Sequence, residues 1–168
     1  MKLHNIDKIR YRKHLNIVIV IGIIALASLS LTISQTAIYF LTDREGSHFW
    51  LNISGVVIAM LIIASILKKY RQHEFLTEVV YVWDLKHQIN LIHRKNRQLN
   101  QAVEDDNVDA MLAMFFYYKA CRQLYKLDDN TITLSSLNQK SNELDIKLKS
   151  LNISLDENDY NQQILKAF

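Results

Sequence analysis

The chain has 168 residues, with 20 Lys and Arg against 17 Asp and Glu and a formal net charge of +3. It contains no proline, three glycines and one cysteine. It therefore lacks the turn residues on which β-hairpins and sandwiches depend, and it cannot form an internal disulfide. These counts favour an all-α protein, and the small net charge argues against a nucleic-acid-binding protein.

Two uncharged apolar runs dominate the first 67 residues. Residues 1–14 form a basic segment with five Lys and Arg. Residues 15–41 and 49–67 then carry no charge, and the polar stretch 42–48 separates them. Because about 20 apolar helical residues span the hydrocarbon core, the sequence predicts a transmembrane hairpin over 15–67, with spans at 15–41 and 49–67.

The charges that flank these runs predict the topology. Basic residues precede the first run and follow the second, whereas the loop carries only Arg44, balanced by Asp43 and Glu45. Since basic residues near span ends stay in the cytoplasm, we expect both termini in the cytoplasm and the loop 42–48 outside, which in a bacterium is the periplasm. The side chains expected to contact lipid headgroups are Arg10, Arg12, Lys13, Lys68, Lys69 and Arg71.

A cleaved signal peptide is the alternative for the first run. Ala25-Leu26-Ala27 resembles a small-x-small cleavage site after a basic segment and an apolar stretch. The apolar run continues to Leu41, however, and cleavage would leave that remainder unexplained. The hairpin is therefore preferred.

Small and polar residues within the predicted spans indicate how the spans could pack. Gly55 and Ala59 form a small-xxx-small pair, which permits close helix approach either between the two spans or between two subunits. The stretch 28–36 is rich in hydroxyl side chains, which could line a pore or a helix-packing seam. Neither run contains Asp, Glu, Lys or Arg, so transport by the hairpin alone is disfavoured.

Residues 68–168 are predicted to form a cytoplasmic bundle of about three helices. Polar clusters at 104–107, 128–131 and 152–154 mark the helix ends in a region without Gly or Pro. The predicted helices cover about 70–103, 107–127 and 134–151, followed by a tail that we expect to fray. The sequence leaves open whether the first of them continues the second span or whether the chain kinks near 71–74.

The second predicted helix is apolar on more than one side, which fits either the centre of a bundle or a partner interface. The candidate interface residues are Phe115, Phe116, Tyr118 and Tyr125. Heptad-like stripes on the first and third helices, with Asn96 at a seam position, fit packing within one chain or between chains.

No catalytic or metal-binding motif is present in the sequence. His87 and His93 fall on opposite helix faces, and no paired Cys/His spacing occurs, so we predict no metal, no cofactor and no enzymatic activity. Basic residues between 86 and 97 are interpreted as a solvated helix face. A membrane-associated enzyme acting on lipid through Glu74, Glu78 and Asp84 is a weaker alternative.

Several segments resemble one bacterial family of two-pass proteins, catalogued as domain of unknown function 3087. They are GSHF at 46–49, NISGVV at 52–57, KYR at 69–71 with His73, TEVVYVW at 77–83, NVDAMLA at 107–113 and LDDNTIT at 127–133. The resemblance covers nearly the whole chain and implies an inner-membrane protein of a Gram-negative bacterium. It implies no activity, so no functional residue is transferred. Members resembling this chain carry an acidic pair after the position of Thr133, where Ser135-Ser136 stands here, so a weaker helix cap is expected.

Together these patterns favour a non-enzymatic, membrane-anchored interaction or scaffold module. The expected partners are the lipid bilayer and a protein, or a second copy of the chain, with no nucleic acid and no metal. The alternative from a different class is an accessory subunit of a channel or transporter.

Overall fold

The structure, a computed structural model, describes residues 1–130 and 132–168. Within them lie six α-helices and three short 3-10 helices, with no β-strand, so the predicted all-α class is confirmed. The α-helices are α1 (Lys8–Leu41), α2 (Phe49–Lys69), α3 (Thr77–Arg94), α4 (Asn96–Glu104), α5 (Val108–Leu127) and α6 (Leu134–Ser150). The 3-10 helices are Glu74–Leu76, Glu157–Asp159 and Gln162–Ala167.

The chain divides into two compact units. Residues 7–80 form one, called here the apolar-helix unit because it contains α1 and α2. Residues 1–6 and 81–168 form the other, called here the helical unit. The domain boundaries expected from the sequence, after residues 14 and 67, remain a prediction.

In the apolar-helix unit, α1 packs against α2. Helix α1 begins at Asp7, whose carboxylate accepts hydrogen bonds from the amides of Ile9 and Arg10. Such an N-cap satisfies donors that the first helical turn leaves free. Along α1, the hydroxyls of Ser28 and Thr32 donate to carbonyls of their own helix, each at 2.8 Å.

The chain breaks its helical course after α2. Helix α2 ends at Lys69 with Tyr70 as its C-cap, and a turn follows over 71–73. The imidazole Nδ1 of His73 then accepts from the amide of Phe75 at 3.2 Å. Of the two courses that the sequence allowed, the structure has the kink and not the continuous helix. The reason is local: the His73 side chain caps a new 3-10 turn in place of continued α-helical bonding.

The single helix expected over 70–103 is also interrupted at Lys95, which separates α3 from α4. The Lys95 amide bonds to the carbonyl of Ile92, a one-turn contact of the 3-10 type. Its ammonium group donates to the carbonyl of Leu165 at 2.7 Å. A contact with a residue 70 positions away is invisible to helical periodicity, so the sequence could not predict this break.

Helix α5 is the centre of the helical unit and contacts α4, α6 and the last two 3-10 helices. Most apolar side chains of the two heptad-like stripes are buried within the chain. Those on α3 and α4 are Val82, Leu85, Ile89, Ile92 and Leu99, and those on α6 are Leu137, Leu144 and Leu148. Asn96, expected at the seam, instead accepts a hydrogen bond from Asn100 on its own helix.

Three helices end on a left-handed Asp or Asn. Asp106, Asp129 and Asn152 have φ angles of 59°, 54° and 54°. In each case the following amide bonds to the carbonyl five residues earlier, at 2.9 Å, as in the Schellman motif. Asp and Asn tolerate this conformation better than other residues with a Cβ, and so replace the glycine that this region lacks. Thr131, part of the second predicted cluster, lies outside the described residues.

The C-terminal tail packs on the helical unit, so the expectation that it frays is wrong. The ring of Tyr160 stacks on Phe116 of α5 with centroids 4.2 Å apart, and Leu165 is buried. The two 3-10 helices begin at Asp156 and Asn161, whose side chains accept from the backbone two residues on. This short polar segment is thus ordered because the side chains of Tyr160 and Leu165 are buried in the core.

Candidate functional site

A polar cluster joins the start of α1 to the start of α3 within the apolar-helix unit. The Nε of Arg10 lies 2.9 Å from Oε1 of Glu78, and its Nη2 lies 3.8 Å from Oε1 of Glu74. The Nδ1 of His14 lies 3.6 Å from Oε2 of Glu78, and its ring stacks on Phe75 at 4.1 Å. We call Arg10, His14, Glu74 and Glu78 the polar cluster.

Burial divides the polar cluster into an inner and an outer part. The side chain of Glu78 is 11% exposed and that of His14 is 14% exposed, whereas Glu74 is almost fully exposed. Nδ1 of His14 and Oε2 of Glu78 are both buried without a hydrogen-bond partner. The inner pair therefore depends on Arg10 to offset the charge of the carboxylate.

An apolar groove of about 420 Å³ opens beside the polar cluster. Its walls come from residues 18–25 of α1 and 63–67 of α2, and Tyr70, His73 and Phe75 stand at one end. A Cβ added at Gly22 would meet no atom within 4 Å, so the glycine leaves open space in this wall. Phe75 links the two features, since it lines the groove and stacks on His14.

The geometry of the polar cluster fits a structural ion pair better than an acid–base catalyst. A general base needs a free lone pair directed at its substrate, whereas one Glu78 oxygen is already bound to a guanidinium. The other oxygen faces His14 and is closed to solvent. The cluster ties the polar start of α1 to α3 and thereby fixes the turn that follows α2.

The six side chains expected to contact headgroups lie around this end of the apolar-helix unit. Arg10 is engaged by the carboxylates of the polar cluster. Lys68 and Lys69 occupy the last turn of α2, with the Lys69 ammonium 6.0 Å from the Tyr70 ring. Arg12, Lys13 and Arg71 are exposed. Their contact with lipid remains a prediction.

Gly55 and Ala59 are both buried where α2 faces α1. A Cβ at Gly55 would overlap Oγ of Ser34 and lie 2.9 Å from the carbonyl oxygen of Ser30. Ser34 also donates to the carbonyl of Asn52 at 3.4 Å. Of the two uses left open for the small-xxx-small pair, Gly55 therefore serves close approach within the chain.

The candidate interface residues on α5 separate into buried and accessible groups. Phe116 and Tyr118 are buried, and Tyr118 has a raised pKa chiefly because burial disfavours its charged form. Phe115 and Tyr125 are half-buried, with the ammonium of Lys119 4.6 Å above the Phe115 ring. Phe116 and Tyr118 are thus misplaced as interface residues, because the C-terminal tail and α6 complete the core around α5.

The thiol of Cys121 is buried in the same core. Burial raises its pKa to about 11, so the reactive thiolate is scarce at neutral pH. Beside it, burial raises the pKa of Tyr117 far above its ordinary value. Cys121 therefore behaves as a small apolar core residue.

Several side chains of the basic stretch between 86 and 97 are paired with other residues of the helical unit. Lys86 pairs with Asp128 at 3.1 Å, and His93 lies 3.3 Å from the hydroxyl of Tyr117. Lys95 is bound to Leu165, as described above. In the part of the chain that the structure describes, no group of three His, Cys, Asp or Glu side chains could hold a metal ion.

Sequence reasoning missed two features of the helical unit. Trp83 on α3 is 75% exposed, although it is one of only two tryptophans. The N-terminal residues also pack onto this unit: the His4 amide donates to the Tyr81 hydroxyl at 2.8 Å, and its carbonyl accepts from Gln123 Nε2 at 2.5 Å. Trp83 lies outside the heptad-like apolar stripe of its helix, and that position could have predicted its exposure to solvent.

The fold and its sites define an all-α protein in which two helices are long and apolar enough to cross a membrane. The family whose model matches the chain is described as protein of unknown function (DUF3087), and the match covers residues 1–165. The chain belongs to this family, which confirms the resemblance seen in the sequence. No curated protein and no solved structure matches the chain.

Proposed function

We propose that this is a two-pass protein of the bacterial inner membrane that holds a non-enzymatic interaction module in the cytoplasm. The observation that carries the proposal is the surface of α1 and α2. The most apolar 18-residue stretch of each helix has a mean hydropathy above 2, yet only 6% of that stretch in α1 and 11% in α2 is buried inside the molecule. The core helix of a soluble protein buries such a surface, whereas a membrane-spanning helix presents it to lipid.

The arrangement of the helical unit supports cytoplasmic termini. Residues 1–6 and 81–168 belong to one compact unit, with His4 bonded to Tyr81 and Gln123. Parts of one folded unit lie on one side of a bilayer, and two crossings between them return the chain to that side. Together with the basic flanks, this favours two crossings over one and therefore places the loop 42–48 in the periplasm in this proposal.

Cysteine accessibility in living cells tests this topology. Ser47→Cys in the loop should react with a membrane-impermeant maleimide in intact spheroplasts. Ser135→Cys on α6 is the matched control and should react only after permeabilisation, while native Cys121 stays silent because it is buried. Labelling of both sites in intact spheroplasts, or of Ser135→Cys alone, would refute the topology, and a mature chain beginning at Ser28 would replace the hairpin with a signal peptide.

The polar cluster would then lie at the cytoplasmic end of the spans. Its role in this proposal is to brace the turn that follows α2 within the apolar-helix unit. The groove beside it would be filled by lipid hydrocarbon, because its walls belong to the apolar stretches of both helices.

The interaction role is supported by Trp83, since exposed tryptophans are frequent energetic centres of protein interfaces. A photo-crosslinking residue at Trp83, compared with one at the exposed polar position Gln98, tests it in cells. A crosslinked protein specific to position 83 would identify an adaptor, and a crosslink to the same chain would identify a homo-oligomer. Equal or absent crosslinking at both positions would remove the support for this surface.

A channel or transporter subunit is less well supported. The hydroxyls of Ser28 and Thr32, which would line a pore, donate to carbonyls of α1 itself. They are therefore satisfied without water or a neighbouring subunit.

A further inference from the structure

A basic cleft lies on the helical unit, between the N-terminal residues and one face of α5. Its volume is about 350 Å³. Residues 3–5 form one side, and Lys119, Arg122, Gln123 and Lys126 form the other. Three of these α5 side chains are cationic, and their spacing of 3 and 4 places them on one helix face over about 10 Å.

Arg122 lines the centre of this cleft and lacks a counter-charge among residues 1–130 and 132–168. Its Nε is buried and has no hydrogen-bond partner. Among the residues that the structure describes, no carboxylate pairs with its guanidinium. Arg122 is half-buried, and a buried Nε without an acceptor costs free energy that a bound anion would offset. The site therefore has a place for an anion that the chain itself does not fill.

The flanking residues are held in position. Lys119 donates to Oε2 of Glu157 at 2.9 Å, and this hydrogen bond lowers the pKa of Glu157. Gln123 accepts from the Tyr81 hydroxyl at 3.0 Å and donates to the carbonyl of His4 at 2.5 Å. The wall of the cleft is thus fixed before any ligand arrives, which reduces the entropic cost of binding.

We propose that this cleft binds a phosphate group, with the Arg122 guanidinium donating to two phosphate oxygens and Lys119 and Lys126 on either side. The planar fork of arginine matches two oxygens of a phosphate, and the ammonium of Lys126 offsets remaining negative charge, while that of Lys119 is shared with Glu157. The phosphate could belong to a lipid headgroup or to a free phosphate compound. This inference goes beyond the proposed function and rests on the helical unit alone.

Calorimetric titration of the full chain in neutral-lipid nanodiscs tests the proposal. Two probes are used at physiological salt: inorganic pyrophosphate and a short-chain phosphatidic acid below its micellar concentration. At least one should bind the native chain, and Arg122→Gln should weaken that binding tenfold or more, since a charge-assisted hydrogen bond is worth about 1.5–3 kcal/mol. Tighter binding of phosphatidic acid would indicate a headgroup, and tighter binding of pyrophosphate a free phosphate compound.

Variants keep the test decisive. Lys140→Gln removes an exposed charge of α6 outside the cleft and should leave binding unchanged. Arg122→Lys keeps the charge without the fork and should bind more weakly than the native chain but better than Arg122→Gln. Protection of the buried Cys121 thiol from maleimide shows that each variant is folded. If an Arg122 variant unfolds, Lys126→Gln is tested in its place and should weaken binding. Absence of binding by both probes, or equal binding by native chain and Arg122→Gln, would overturn the proposal.

Discussion

Alanine at Gly55 should destabilise the packing of α1 against α2, whereas alanine at Gly22 should not. Both glycines lie inside helices, so both variants gain about 1 kcal/mol from helix propensity. At Gly22 the new methyl meets nothing within 4 Å. At Gly55 it overlaps the Ser34 hydroxyl and lies 2.9 Å from the Ser30 carbonyl, and the carbonyl cannot rotate away.

The magnitude follows from the difference between the two variants. Overpacking of this kind costs about 1–3 kcal/mol. The propensity gain is common to both, so Gly55→Ala should be about 1–3 kcal/mol less stable than Gly22→Ala. Adding Ser34→Ala to Gly55→Ala removes the side-chain overlap and leaves the backbone contact, so it should restore only part of the loss.

Reversible unfolding by SDS in mixed micelles measures this difference. Pyrene labels are placed on cysteines at Asn16, near the start of the uncharged run of α1, and at Lys68, in the last turn of α2. Both lie remote from the loop, and loss of their excimer emission reports separation of the helices. If Gly55→Ala and Gly22→Ala agree within about 0.5 kcal/mol, the usual additivity error, the close approach at Gly55 is refuted.

Three further outcomes are expected. Tyr160→Ala should cost about 3 kcal/mol of unfolding free energy in urea, because it removes the stack on Phe116, whereas Tyr160→Phe should be neutral or stabilising, since the buried hydroxyl has no hydrogen-bond partner; equal losses would refute this. Arg10→Ala should destabilise the apolar-helix unit by about 1–3 kcal/mol by leaving the Glu78 carboxylate buried and unpaired, and adding Glu78→Gln should recover part of the loss in the same SDS assay; an additive double variant would contradict the pairing. Burial raises the pKa of Cys121 from 9.0 to about 11 and that of Tyr160 from 10.0 to about 12, so each contributes fully to stability below its unfolded-state pKa and loses that contribution as the pH rises through its folded-state pKa. Urea unfolding should therefore show stability falling above pH 9, and a flat profile to pH 12 would contradict this.

The parts of the fold that could be predicted are those that depend on local pattern. The uncharged runs coincide with most of α1 and α2, because length and hydropathy act residue by residue. The helix-ending stretch predicted at 104–107 contains Asp106, whose left-handed conformation ends α4. In a region without glycine, Asp and Asn are the residues that adopt this conformation most readily. Thr133 is the N-cap of α6 without a side-chain hydrogen bond, in line with the weaker cap expected there.

The parts that could not be predicted depend on contacts distant in sequence. Lys95 interrupts a periodic helix while bound to Leu165, and Tyr160 orders a polar tail by stacking on Phe116. The same stack moves Phe116 from a candidate surface into the core. Glu78 shares a helix face with Glu74 in the sequence, but only the fold brings Arg10 and His14 to it.

The docking of the N-terminal residues sets an order of assembly. Gln123, which holds the His4 carbonyl, is made 119 residues later. At about 5–20 residues per second, the first residues of the nascent chain wait roughly 6–24 s for their binding site. During that interval the ribosome produces both apolar helices, so the N-terminus stays unattached until α5 emerges, and a bulky fusion placed before Met1 would delay completion of the helical unit more than the same fusion placed after Phe168.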